Sequence, residues 1–141
     1  MKIIGLYGHS NCGKTQTLNF LREMLRQNGE SLSKNAPHQD DEPETFLYHG
    51  LIVCVAPGGD NEDVVRANVR YFKSKNCDVA ITATRCKGGS VTALHDYEQE
   101  MGTEILWFAK SYEYHLSPQT QELCNRETAK FLINLVDTTV E

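Results

Sequence analysis

No stretch of this chain approaches the roughly 20 consecutive apolar residues that a membrane-spanning helix needs, and no charged leader followed by an apolar run opens it. A soluble, cytoplasmic protein with no membrane partner is expected. The C-x-x-C spacing is missing too: the five cysteines, Cys12, Cys54, Cys77, Cys86 and Cys124, form an odd set, three of them in or beside apolar runs. That argues against a disulfide framework and predicts reduced thiols in a reducing compartment. The five histidines show no metal-ligand spacing with those cysteines, which argues against a zinc site. Positive charge is in deficit, 14 Lys and Arg against 19 Asp and Glu, for a net charge of -5. A broad grip on nucleic acid rests on surplus lysine and arginine, so nucleic acid is not an expected partner. There is no internal repeat and no second domain, and 141 residues suit one domain spanning 1–141. A chain of that size buries roughly two thirds of the surface its unfolded form exposes.

What is present alternates. Lys2 to Tyr7 is a short apolar run that suits a strand buried on both faces. From Lys14 to about Asn28, Leu18, Leu21 and Leu25 recur at helical spacing, and Gly29 is placed to stop the helix. Residues 30–45, ESLSKNAPHQDDEPET, hold two prolines and the acidic run Asp40-Asp41-Glu42, and are expected to form a long mobile loop. Phe46-Leu47-Tyr48 and Leu51 to Ala56 flank His49-Gly50, which permits a tight hairpin. A helix is expected to start at Asp60 or Asn61, with Val65, Val69 and Phe72 on one face. Asp78 to Thr84 reads as a strand, Val91, Leu94 and Met101 as a helical stripe, and Glu104 to Ala109 as the last strand. Ser117-Pro118 opens a terminal helix carrying Leu123, Phe131, Leu132 and Leu135. Strands alternating with helices predict an α/β fold with a mainly parallel central sheet flanked by helices on both faces.

The segment Gly8-His9-Ser10-Asn11-Cys12-Gly13-Lys14-Thr15 matches G-x-x-x-x-G-K-[ST] in full. It resembles the Walker A loop of the P-loop NTPase superfamily, and it sits where such a loop must, between a strand and an amphipathic helix. The physical requirement is a string of backbone amides curled around phosphates, with glycines where a Cβ would block the turn or the ligand. The resemblance implies a three-layer P-loop fold, a bound nucleoside triphosphate, ATP or another NTP, and Mg²⁺. It also implies that Lys14 lies against the β- and γ-phosphates while the Thr15 hydroxyl ligates the metal. Ser10 and Asn11 could reach the γ-phosphate or a second substrate. His9 reads as a spectator, and Cys12 as an oxidation-sensitive thiol rather than a nucleophile. The plainer alternative is an ordinary glycine turn that happens to contain Lys-Thr.

Ligands of doubly wound sheets gather at the carboxyl ends of strands, and those turns are polar here. Asp60 is the candidate second magnesium ligand, although Pro57-Gly58-Gly59 separates it from the apolar run that the superfamily's acid usually follows directly. A helix N-cap is its alternative role. Glu62 could orient a nucleophile or could be a solvated first-turn acid. Arg85, followed by Lys87, Gly88 and Gly89, could steady transferring phosphate or hold a second anionic substrate, against the plainer reading of a solvated basic turn. Lys110 lies where many P-loop proteins shape the base pocket, against the plainer reading of an exposed lysine. Lys14, Asp60 and Arg85 are thus the catalytic candidates.

An Asn-Lys-x-Asp base reader, sensor and arginine-finger segments and an arginine-rich lid are all missing. The first two absences leave guanine specificity and ring-motor work unsupported. An ATPase is expected. A small-molecule or nucleotide kinase is the alternative, supported by Gly58-Gly59, Arg85 and Lys87, and a non-catalytic nucleotide switch acting on a protein partner is the third reading.

Overall fold

The computed structural model describes residues 1–33, 41–112 and 116–139. The order is β1 (Lys2–Tyr7), α1 (Lys14–Asn28), β2 (Glu30–Ser31), β3 (Glu44–Tyr48), β4 (Leu51–Ala56), α2 (Glu62–Lys75), β5 (Val79–Thr84), α3 (Gly89–Met101), β6 (Ile105–Ala109) and α4 (Pro118–Asp137). The chain is α/β, with a six-stranded sheet in the order β2-β3-β4-β5-β1-β6.

That sheet is mixed, and the expectation of a mainly parallel one is corrected. β4, β5, β1 and β6 pair in parallel, whereas β3 runs antiparallel to β4 and β2 antiparallel to β3. The reason is local. His49 and Gly50 both take positive φ, 50° and 81°, the two-residue turn whose twist matches a hairpin. A two-residue turn can only send the chain back along its neighbour.

Period-2 alternation lets each strand feed both faces. Ile4 and Leu6, Val53 and Val55, and Val79, Ile81 and Ala83 join Leu18, Leu21 and Leu25 of α1 and Ala129, Leu132 and Val136 of α4 in one buried cluster. Ile3, Cys54, Ala56 and Ala80 join Val65, Val69 and Phe72 of α2 and Ala93, Leu94 and Tyr97 of α3 in the other. The strands therefore read as unbroken apolar runs.

Three local expectations change. Residues 30–45 are not wholly irregular, because β2 occupies Glu30–Ser31 and β3 begins at Glu44; residues 34–40, including Asp40, lie outside the described residues. On α4 the inward stripe is Asn125, Ala129, Leu132 and Val136, while Leu123 and Phe131 are exposed. Phe131 instead stacks on Phe108 of the edge strand, ring centroids 4.7 Å apart. On α3, Tyr97 is buried and Met101 is exposed. No helix among the described residues is long and apolar enough to cross a membrane.

Candidate functional site

Between β1 and α1 the chain closes on itself. Asn11 and Gly13 take left-handed φ values of 63° and 88°. The Gly8 amide donates to the Thr84 carbonyl at 3.2 Å, and the Lys110 amide donates to the Tyr7 carbonyl at 2.7 Å, so the ends of β5 and β6 fix where the turn starts. Gly13 stands at the N-cap of α1, and no side chain caps that end. The first amides of α1 therefore have no side-chain cap acceptor, and the end of the helix favours negative charge. His9, Ser10 and Asn11 are exposed on the outer side of the turn, and Cys12 is buried beneath it.

Lys14 crosses this turn. Its side chain folds back so that Nζ donates to the Gly8 carbonyl, across the loop, and to the Thr84 carbonyl at 2.9 Å. Only 5% of the residue is exposed. Burial pushes the ammonium below its ordinary pKa and the Arg85 guanidinium adds to that, while Cys12, Asp60 and Cys86 act in the opposite sense. Asp60, Arg85 and Cys86 thus lie within electrostatic reach of the loop lysine, although the sequence puts more than 40 residues between Lys14 and Asp60.

The turn between β4 and α2 lies beside Thr15. The Thr15 hydroxyl donates to the Pro57 carbonyl at 3.4 Å, and Arg85 Nε donates to the Asp60 carbonyl at 2.8 Å. Asn61, not Asp60, caps α2, its side chain accepting from the Val64 amide at 2.9 Å. Of the two expected helix starts it is Asn61 that caps, so the alternative N-cap role of Asp60 is not taken up, and its carboxylate stays exposed beside the loop. Glu62 pairs with Arg66 at 2.7 Å and packs against Gly89 at the start of α3, which accounts for it as a first-turn acid. A Cβ at Gly59 would stand 1.9 Å from the Ala83 carbonyl oxygen, so that glycine allows close packing on β5 and opens no space for a ligand. Lys87 is exposed.

Lys110 is the surprise among the candidates. A strand-end lysine is more often exposed, yet this one is only 4% exposed. Its Nζ lies 4.3 Å from the Tyr112 ring centroid and has no hydrogen-bond partner among the described residues. Burial lowers its pKa, and the nearby Cys124 and Cys12 act against that shift.

Behind the loop lies a clamp that no local motif in the sequence marks. Asn125 of α4, fully buried, donates to Gln16 Oε1 at 2.6 Å and to the Tyr112 hydroxyl at 2.8 Å. A Cβ at Gly13 would stand 2.1 Å from that hydroxyl and 2.4 Å from Asn125 Oδ1. A polar residue on the inward stripe of α4 was the only available signal. Gly13→Ala is expected to destabilise the fold by about 1–2 kcal/mol from its left-handed backbone alone, with the clash adding to it. Denaturant unfolding checks this: a loss no larger than the backbone cost would mean that the clamp yields freely, and an unchanged midpoint would deny both contributions.

Among the described residues no group of three or more His, Cys, Asp or Glu is arranged to hold a metal. No protein-family model, curated protein or solved structure matches the chain.

Proposed function

We propose that this chain binds a nucleoside triphosphate, ATP, with Mg²⁺ through Gly8–Thr15 and hydrolyses its terminal phosphate, and that its architecture is a P-loop NTPase-like three-layer fold. The observation that carries the reading is the buried Lys14 ammonium, turned back across its own loop and held by the Gly8 and Thr84 carbonyls. A cation held there is oriented before any anion arrives, which spares it the loss of freedom on binding.

In this reading the loop amides and the uncapped start of α1 take the phosphates. Lys14 and Arg85 hold charge that develops on the terminal phosphate. Arg85 also tethers the Asp60 carbonyl, so cation and acid are positioned together. The donor set suits magnesium, which favours hard oxygens and uses only one or two carboxylates beside phosphate and water. Thr15 supplies a hydroxyl and Asp60 a carboxylate. Magnesium, when bound, neutralises charge on the phosphate oxygens. The free cysteines fit a cytoplasmic setting.

Transfer to an acceptor and regulated binding to a protein partner both use the same loop. The filled space beside Gly59 removes one argument for transfer. Phosphate release from ATP and magnesium is the discriminating assay, run alone and then with nucleosides, nucleotides and small metabolites. Basal release unaffected by that panel is expected, and a phosphorylated acceptor would replace hydrolysis with a kinase. Thr15→Ala is expected to bind ATP with an affinity that no longer responds to magnesium in calorimetric titration. A variant still fully metal-dependent would remove Thr15 as a ligand.

A further inference from the structure

At the carboxyl end of β1, on the sheet face that carries α3, Tyr7, Arg85, Cys86, Val91, His95 and Trp107 line a cavity of about 280 Å³. Its walls are aromatic. Trp107 and Tyr7 meet edge to face, centroids 5.7 Å apart at 82°, and His95 is tilted against Trp107 at the same separation. Rings set nearly at right angles form adjoining walls and leave faces uncovered, whereas stacked rings would cover each other.

The backbone beneath is shaped for this arrangement. Gly5 sits inside β1, where glycine weakens a strand and often marks a close approach. A Cβ there would stand 2.8 Å from Trp107 Cε3 and Cζ3, so only glycine lets the indole lie over β1 beside Tyr7. His95 is oriented from behind, its Nδ1 3.0 Å from Glu98 Oε1, while Glu98 also accepts from the Ile105 amide at 2.8 Å. The cation at the rim is Arg85, whose Nε is anchored to the Asp60 carbonyl. The volume lies just below the range of roughly 300–1,000 Å³ for small-molecule sites. It suits one ring system with a short acidic arm.

We propose that this cavity binds a planar heteroaromatic anion, its ring against Trp107 and Tyr7 and its acidic group on Arg85, as a ligand separate from the one held by the Gly8–Thr15 loop. The site does not depend on the triphosphate reading, since of the residues lining it only Arg85 is shared.

Trp107 is the only tryptophan in the chain, so intrinsic fluorescence reports on this cavity directly. The probes are AMP, GMP, CMP and UMP, with adenosine, inorganic phosphate and ATP as comparisons. Saturable quenching by at least one monophosphate is expected. It should persist in Lys14→Ala, weaken at least tenfold in Arg85→Gln, and weaken similarly in Val91→Phe, which fills the cavity without touching charge. Adenosine and phosphate alone should each bind at least tenfold more weakly than the monophosphate. Three results would overturn the proposal: no saturable quenching by any monophosphate; quenching unaffected by both Arg85→Gln and Val91→Phe; or quenching by ATP alone that vanishes in Lys14→Ala, which would assign the ring to the loop's own nucleotide. Loss of ATP binding in Lys14→Ala with the monophosphate signal intact separates the two sites. Unchanged ATP binding in that variant would count against the loop and leave the cavity standing.

Discussion

Lys14→Ala is expected to weaken binding of magnesium ATP by about 1.5–3 kcal/mol, the worth of a hydrogen bond to a charged group, or roughly one to two orders of magnitude in dissociation constant. The ammonium is buried and already committed to two main-chain carbonyls, Gly8 and Thr84, one inside the loop and one at the end of β5. On the proposed function alanine removes a charge-assisted contact to phosphate, and in any case it removes the brace between loop and strand. Lys14→Met separates these effects, because it keeps most of the packed stem while deleting the charge. If both variants lose affinity to the same degree, charge dominates; if methionine recovers most of the loss, packing does. Isothermal titration gives the affinities, and thermal melting reports the brace. Wild-type affinity in Lys14→Ala would remove the loop from consideration as the nucleotide site.

Glu44→Ala should lower stability by about 3–5 kcal/mol, the usual result of stripping one partner from a buried ion pair. Glu44 is fully buried at the start of β3 and Arg22 is 2% exposed. The carboxylate accepts from Arg22 Nε at 3.0 Å, from Arg26 Nε at 2.9 Å and Nη2 at 2.5 Å, and from Ser31 Oγ at 2.7 Å. Removing it takes the counter-charge from the buried Arg22 guanidinium, which keeps its 2.8 Å bond to Asn19 Oδ1, and leaves a cavity beside it. For a chain of this length that corresponds to a fall of roughly 10–20 °C in melting temperature. Glu44→Gln, which keeps an acceptor, should lose less. The pH dependence has a defined sign. Burial by itself would raise the Glu44 pKa, but hydrogen bonds from Arg26, Ser31 and Arg22 outweigh it and hold the carboxyl below its ordinary value. A depressed folded-state pKa contributes stability that is present above the unfolded value and lost as pH falls through the folded one. The gap between wild type and Glu44→Gln should thus be full at neutral pH and shrink in acid below the ordinary carboxylate range. A gap that stayed constant down to strongly acidic pH would deny the ion cluster this role.

Arg22 and Arg26 also show why this cluster is hard to see in the sequence. They lie four apart on α1, and Arg22 falls within the buried set beside Leu18, Leu21 and Leu25. That is a visible clue to a buried charge. Its partner stands in a segment whose prolines and acids read as loop, and no local rule connects the two. Asn125 is similar: its place on the inward stripe of α4 could be noticed, but its position against Gly13 depends on how α4 crosses α1. The hairpin at His49-Gly50 is legible in the sequence, yet alternation of strands and helices points to parallel pairing while the turn itself sets β3 antiparallel to β4.

Local order alone determined where α1 begins and ends, the hairpin at His49-Gly50, the apolar strands and the glycine-rich turn at Gly8–Thr15, since each depends on neighbours within a few residues and on backbone preferences that travel with the residue type. Packing decided the rest: the burial of Lys110, the approach of Asp60 and Arg85 to Lys14, the ion cluster on Glu44 and the aromatic walls around Trp107. These contacts join residues tens of positions apart, and their energies come from desolvation and close approach, which exist only once the sheet brings separate strand ends together.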